Sequence, residues 1–396
     1  DLNYTFSRKF TNMETKLDTL VNMQDRMSAF GLEAAYQPAE KKISYQTYFS
    51  ELYFSDLAEN IAPAEIGYTF VIPVSARFEG TIDFAAILAN KDNVAKAINE
   101  SVGNISFRVE GGTGSVKFSD DETMNYPVND FVLNGQVEGG LQKIVINDAN
   151  FDLDGEKIKI SLEAKGLQKY FIEKSPKDIQ IKLRTDINQF SLSKLSVYWP
   201  RYIAEKAWEW CKDSIYGGLA KNAYFEFLFK YNDSKKAVTF ADLKGKVEIE
   251  DSNINYLGEL PVVKNFYGTA DFSNDSIYIK VDKGVADGVI VSDGFVHLYD
   301  LGSEHNMIKI RLIGNSSIKD ALNFIDHKPL DFAKDLGINP QKVSGDVDVN
   351  LVLAFELKSD ITNKDVEVEV TADLHNLEIA DIADKKPLKA EKLELV

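Results

Sequence analysis

The side chains that most often carry acid–base, nucleophilic or metal chemistry are few and scattered in this chain. His297, His305, His327 and His375 form no HExxH motif and lack the paired spacing a metal needs. Cys211 is the sole cysteine, which excludes an intramolecular disulfide, a CxxC redox pair and a cysteine zinc cluster. "GDVDVNL" opens like a calcium loop at Asp346, Asp348 and Asn350, but Leu351 stands where that loop requires glycine, and no glutamate closes it. These residues are more simply the solvated face of a strand. "EGGTGS" (110–115) lacks the strand–loop–helix context of a phosphate cradle and reads as a turn. The expectation is a protein that is not an enzyme, with no cofactor and no metal.

Composition narrows the partners. A formal charge of −17 and a pI near 4.8 exclude nucleic acid as a natural ligand, since binding to phosphates works through displaced counterions and needs a basic surface. The same charge opposes flat adsorption on an anionic bilayer but leaves room for a local apolar site for acyl chains. There is no signal peptide and no apolar run of 18 residues or more. The chain opens on Asp1 and stops at "EKLELV", in mid-strand by its pattern. We read it as a piece of a longer protein, with room upstream for an anchor or export signal.

The elements follow from periodicity. Met13, Leu17, Leu20, Met27 and Phe30 recur at helical spacing and predict a helix over 11–30; 66–83 reads as strand and 84–100 as helix. From about 128 short β units follow one another, separated by Asn, Asp and Gly. Ile158, Ile160 and Leu162 share one strand face against Lys157, Lys159 and Ser161, and Ile277, Ile279 and Val281 repeat the alternation. It is longest in "VSGDVDVNLVLAFELK", where Val343, Val347, Val349, Leu351, Leu353, Phe355 and Leu357 keep period two; at about 3.3 Å per residue this strand runs roughly 50 Å. A second helical stretch, 317–338, is divided by Pro329. Four segments result: 1–127, mixed α/β; 128–195, a first β unit; 196–316, a helix and second β unit; 317–396, a connecting helix and third β unit.

The interruption "YWPRYIAEKAWEWCKDSIYGG" (198–218) holds all the tryptophans, Trp199, Trp208 and Trp210. Pro200 suits a first helical position and Gly217-Gly218 a stop, predicting a helix over about 201–215. Trp208, Trp210, Ile203, Ala207 and Cys211 fall on one side of it, charged residues on the other. Such a face needs a partner: a sheet of the same chain, a membrane interface or the interior of a groove. The simplest is the adjoining strands, where Phe225, Phe227, Phe229 and Tyr231 share a face.

The Trp199-Pro200 opening, Trp210, Gly218, the turn from Tyr256 to Leu260-Pro261, Gly268, "GFVHLYDL" and the helix-then-strand run from "SIKDALNF" to "VNLVL" occur in an order that resembles the AsmA-like superfamily, in particular its YhdP-type branch. The resemblance runs from roughly 130 to 380. It implies a mainly β fold with interspersed helices: an elongated, twisted antiparallel sheet curled into an apolar groove. It implies the periplasmic portion of a protein anchored in the inner membrane of a Gram-negative bacterium, carrying phospholipids by their acyl chains between inner and outer membranes, which it reaches through regions beyond this chain. On this reading Val347, Val349, Leu351, Leu353, Phe355, Ile277, Ile279, Val281, Ile158, Ile160 and Leu162 line the groove. Trp199, Trp208 and Trp210 belong to a helix that lids it. Two other readings stay open: a non-transporting envelope scaffold or assembly factor for outer-membrane proteins, and a membrane β-barrel, which the intervening helices and charged strand faces disfavour.

Overall fold

A computed structural model describes residues 2–9, 12–23, 26–53, 68–118, 125–140, 142–153, 155–195, 205–255, 260–328, 339–358, 361–383 and 386–395. The chain is mainly antiparallel β with short helices between strands, and its contacts divide it into two compact units, Asp1–Ile187 with Phe225–Asp242, and Asn188–Tyr224 with Leu243–Val396.

The first unit is built on β1 (Leu2–Lys9), β2 (Asn12–Met23), β3 (Arg26–Gln37), β4 (Lys42–Tyr53), β5 (Tyr68–Val71), β6 (Pro73–Asp83), β7 (Val102–Gly111), β8 (Gly114–Phe118), β9 (Asn125–Glu138), β10 (Lys143–Leu153), β11 (Glu156–Lys165) and the start of β12 (Gln180–Ser191). Helices α1 (Phe84–Ala89), α2 (Val94–Ser101) and α3 (Leu167–Glu173) fall between them. The main ladder runs β1-β2-β3-β4-β6-β7-β9-β10-β11-β12, every pair antiparallel, with β5 and β8 added beside β9.

The second unit opens with helix α4 (Glu205–Ser214) and β13 (Ile215–Tyr216). Next come β14 (Leu219–Asn232) and β15 (Ala237–Ile254), each with residues in both units, then β16 (Val263–Ser273), β17 (Ile277–Ala286), β18 (Val289–Tyr299), β19 (Met307–Ser317), helix α5 (Ile318–Ile325), β20 (Val343–Glu356), β21 (Glu367–Ala383) and β22 (Lys386–Leu395). Its ladder runs β13-β15-β16-β17-β18-β19-β20-β21-β22. The strands follow one another as a meander, so each needs only a short turn. Between β17 and β18, Asp287 (φ 49°) and Gly288 (φ 83°) supply the paired left-handed residues that a two-residue hairpin demands. The sheet is open and does not close into a barrel.

Residues 11–30 correct the sequence reading. The described residues among them, 12–23 and 26–30, lie in β2 and β3, not in a helix. Met13 and Leu17 face Tyr36 and Leu32 across the ladder, and Thr15, Thr19 and Val21 complete that face, so a strand partner outweighs a weak helical pattern. Leu20 and Met27, which made the pattern look helical, lie on the opposite face and are 46% and 51% exposed.

In the tryptophan segment the described helix is Glu205–Ser214. Trp199, Pro200 and Ile203 lie outside the described residues, as do the side chains of Trp208 and Trp210. The helix ends at Ser214, before β13, and the double glycine instead turns the chain from β13 into β14: Gly217 and Gly218 have φ of 66° and 85°, and a Cβ at Gly218 would stand 2.7 Å from Ser252 Cα. Ser252 is fully buried, and its hydroxyl donates to the Gly217 carbonyl at 3.2 Å. Helix α4 belongs to the second unit, while Phe225, Phe227 and Phe229 belong to the first.

Candidate functional site

Side chains of a strand alternate between faces, and residues directly opposite in an antiparallel pair share a face, so register alone gathers each unit's apolar residues. In the first unit one row across the strands reads Leu17, Leu32, Thr47, Phe78, Phe107, Gly135, Ile146, Leu162, Leu183. The adjacent row ends in Leu133, Ala149 and Ile160, and the next in Phe131, Phe151 and Ile158. The other face of the same strands carries Arg77, Glu79, Arg108, Glu110, Lys159, Lys182 and Arg184. There the charges pair along and between strands: Arg184 reaches Asp186 of its own strand at 2.7 Å and Glu226 of β14 at 2.5 Å, and these carboxylates hold the guanidinium pKa above its ordinary value.

An aromatic line crosses the apolar face. Phe30, Phe49, Phe78 and Phe107 follow one another with ring centroids 6.4, 6.4 and 6.1 Å apart, and Phe131 stacks on Phe151 at 5.4 Å. The Phe107 ring lies over Gly135, where an added Cβ would stand 2.5 Å from Cζ. This line escaped the sequence reading because the positions 30, 49, 78 and 107 share no period; only strand register aligns them.

In the second unit the same construction takes the form of a checkerboard. One row runs Gly268, Val281, Gly294, Leu312, Leu351; its neighbour runs Gly284, Val291, Gly314, Val349. Glycine alternates with a branched side chain along and between the rows. A Cβ at Gly314 would come within 2.5 Å of the Ile290 carbonyl, and one at Gly284 within 2.7 Å of Val263 Cγ1, so these positions admit backbone and neighbouring side chains that alanine would displace. Ile279, Val296, Ile310 and Leu353 form the next row, and Ile277, Leu298, Ile308 and Phe355 the one beyond.

Val347, Val349, Leu351, Leu353, Phe355, Ile277, Ile279 and Val281 therefore lie on one face of the second unit, brought together by strands some seventy residues apart in sequence. Ile158, Ile160 and Leu162 lie on the apolar face of the first. Coverage differs among them. Leu351, Val349, Ile279, Ile158, Ile160 and Leu162 are half-buried, whereas Val347, Leu353, Phe355 and Val281 are buried. Val281 is buried within the face by Phe266 and Val291, while Val347, Leu353 and Phe355 belong to clusters at its two borders. Helix α5 sets Ile318, Ala321 and Leu322 against Val343 and Val347, and Phe324 against Leu260 and Ala286. At the other border, Leu357, Ile361 and Val366 pack on Phe355 and Ile308. The sequence reading treated α5 only as a connection; its signal was present in Ser317-x-x-Asp320 before an apolar run. The Ser317 hydroxyl accepts from Asp320 N at 3.0 Å and donates to the Asp320 carboxylate at 2.7 Å.

The histidines stand apart, each against a different neighbour. His297 Nε2 is 3.3 Å from the Ser276 hydroxyl, His305 Nδ1 2.7 Å from Glu356, His327 Nε2 3.3 Å from Asp287 and His375 Nε2 3.1 Å from Asp348. Among the described residues no cluster of three histidine, cysteine, aspartate or glutamate side chains could hold a metal. Asp346 and Asp348 are exposed on the charged face of β20. Burial pushes the Cys211 thiol up to about 11, which makes it a poor nucleophile at neutral pH.

In each unit the open antiparallel ladder has one mainly apolar face and one charged face, and among the described residues no cluster of metal-ligating side chains stands on either. The family model described as "YhdP protein" matches residues 73–392, most of the chain, and the chain belongs to the YhdP family, one of envelope-associated lipid transport. The match starts well before the roughly 130 at which the sequence resemblance was placed, so the first unit from β6 onward belongs to the family's pattern. No curated protein and no solved structure matches. No helix of the described residues is long and apolar enough to cross a membrane.

Proposed function

We propose that the apolar face carries phospholipids by their acyl chains across the periplasm between inner and outer membranes, with the sheet as the path and no chemistry performed on the cargo. The observation that supports this most is the half-burial of part of the apolar face in each unit, beside the buried Val281, Ile310 and Leu353. Leu351, Leu312, Ile279 and Leu162 keep contact with their strand neighbours yet are not closed over, whereas Ile72 and Val128 in the first unit's core are 1% exposed. A face held at that level costs hydrophobic stabilisation in an isolated protein, and an acyl chain lying on it restores the burial. Family membership favours the same cargo class. The charged reverse face keeps the opposite side in water, and mixed signs rather than a basic surface fit a path whose contact with lipid is local.

Leu351→Glu tests the reading. It places a carboxylate on the row every sliding chain must cross, and its desolvation opposes occupancy. Asn350→Glu puts the same charge on the opposite face, beside Arg311, whose Nε already donates to Asn350 Oδ1 at 3.3 Å. The expected result is that both variants fold by circular dichroism, Asn350→Glu co-purifies phospholipid by native mass spectrometry, and Leu351→Glu does not. Normal lipid uptake by folded Leu351→Glu would remove this face as the path and favour a scaffold.

A further inference from the structure

Helix α1 is composed of Phe84, Ala85, Ala86, Ile87, Leu88 and Ala89, with no polar side chain, and none of its residues is buried. Phe84 is 38% and Leu88 59% exposed. Its position is nevertheless well held. Asp83 caps it, accepting from Ala86 N at 3.1 Å; Phe84 N donates to the Lys41 carbonyl at 3.0 Å; and Asn90 Nδ2 bridges the Ala86 carbonyl and Glu100 Oε2, each at 2.9 Å. A short apolar helix fixed by polar bonds, with Phe84, Ala85, Leu88 and Ala89 exposed while Ala86 and Ile87 are half-buried, presents a surface to something. That surface continues inward: the Phe84 ring meets Tyr36 edge-on at 6.0 Å, and Tyr36 shares the apolar face with Ile43 and, beyond it, Ile82.

We propose that α1 is a lateral entry ramp through which phospholipid acyl chains reach the apolar face of the first unit from its side. This rests on the lipid-carrying reading and adds to it a place of loading. Leu88, Phe84, Tyr36 and Ile43 are all apolar or aromatic, and Asp83, Asn90 and Lys91 flank the helix with polar side chains. A protein partner fits the feature less well, because a six-residue helix is about 9 Å long and a stable interface buries roughly 800 Å² on each side.

The test uses the chain with vesicles of a diacyl phospholipid bearing a photoreactive acyl chain. Leu88→Asp, at an already exposed position, should fold normally, take up lipid from vesicles about tenfold more slowly and still reach the wild-type amount at saturation, since the charge lies on the ramp and not on the path. Asn188→Asp, on the charged face of β12, should load at the wild-type rate. Wild-type loading by Leu88→Asp overturns the ramp while leaving the carrier reading standing. A changed oligomeric state in Leu88→Asp overturns it too, making α1 a contact between copies. Failure of the wild-type chain to take up lipid at all removes the carrier reading, and the ramp with it.

Discussion

Helices α1 and α5 each leave the end of a strand, after β6 and after β19, and each turns back beside the apolar face of its own unit, yet their fates differ. In α5, Ile318 and Phe324 are buried, the first against Val343 and Val347 and the second against Leu260 and Ala286, and His327 beyond its end lies 3.3 Å from Asp287 of the β17–β18 turn. In α1 nothing is buried. Amphipathic sequence explains the contrast: α5 alternates Ile318, Ala321, Leu322 and Ile325 with Lys319, Asp320 and Asn323, so one side can close on the sheet while the other meets water. An all-apolar α1 has no water-facing side to offer. One border of the second unit's face is sealed, while the corresponding border of the first is apolar to the outside.

The largest effect that could break this comparison is Phe324→Ala. Emptying a buried phenylalanine site should cost about 3–5 kcal/mol in urea denaturation, whereas Leu88→Ala should stay within about 0.5 kcal/mol. Equal losses would mean the two borders are not differently built.

Next in size is the checkerboard. Gly294→Ala drives a methyl into the Arg311 carbonyl and should destabilise by about 1–3 kcal/mol. Gly155→Ala, in the β10–β11 turn with nothing within 4 Å of its Cβ but a φ of 87°, should cost only about 1 kcal/mol from backbone strain. A smaller loss at Gly294 than at Gly155 would show that the face has slack where the geometry shows contact.

These effects also mark what the sequence could disclose. Strict alternation exposed the faces of β11, β17 and β20, because a strand with one apolar side has only one consistent register. It could not disclose which strand lies beside which, so the phenylalanine line and the glycine checkerboard, both products of register between strands, stayed hidden. In β2 and β3 the alternation is diluted by Thr15, Thr19 and Ser28, and exposed Leu20 and Met27 supplied a false helical period. Helix was legible within 84–100, which divides into α1 and α2, and at the start of 317–338, where α5 is Ile318–Ile325 and 329–338, with Pro329, lies outside the described residues; whether a helix seals or stays open depends on contacts far along the chain. That the tryptophan helix ends before Gly217-Gly218 was legible for the opposite reason, since a break is local, although the glycines serve the turn from β13 into β14 and the helix stops at Ser214.

The smallest expected effect lies at the other border of the second unit, where Ile361 and Val366 cover Phe355. The turn carrying them is tied by Asp365, which accepts from Lys358 Nζ at 2.8 Å, Thr362 N at 2.9 Å and the Thr362 hydroxyl at 2.6 Å. Lys358 first, then Thr362, holds the Asp365 carboxyl well below the usual carboxylate range. A carboxyl whose folded pKa is depressed contributes stability that is fully present above the unfolded value of about 3.9 and fades as pH falls through the folded one. Because the group is exposed, salt screens much of that contribution, and the effect should be local rather than global. Asp365→Asn should therefore speed hydrogen exchange of amides in 361–366 at pH 6 while leaving those of α1 unchanged, and the difference from the wild type should shrink below about pH 4, as the Asp365 carboxyl of the locally opened state begins to take up a proton. Unchanged exchange at pH 6 would mean that packing of Ile361 and Val366 on Phe355 holds this border without the carboxylate, and that the sealed side of the face depends on apolar contact alone.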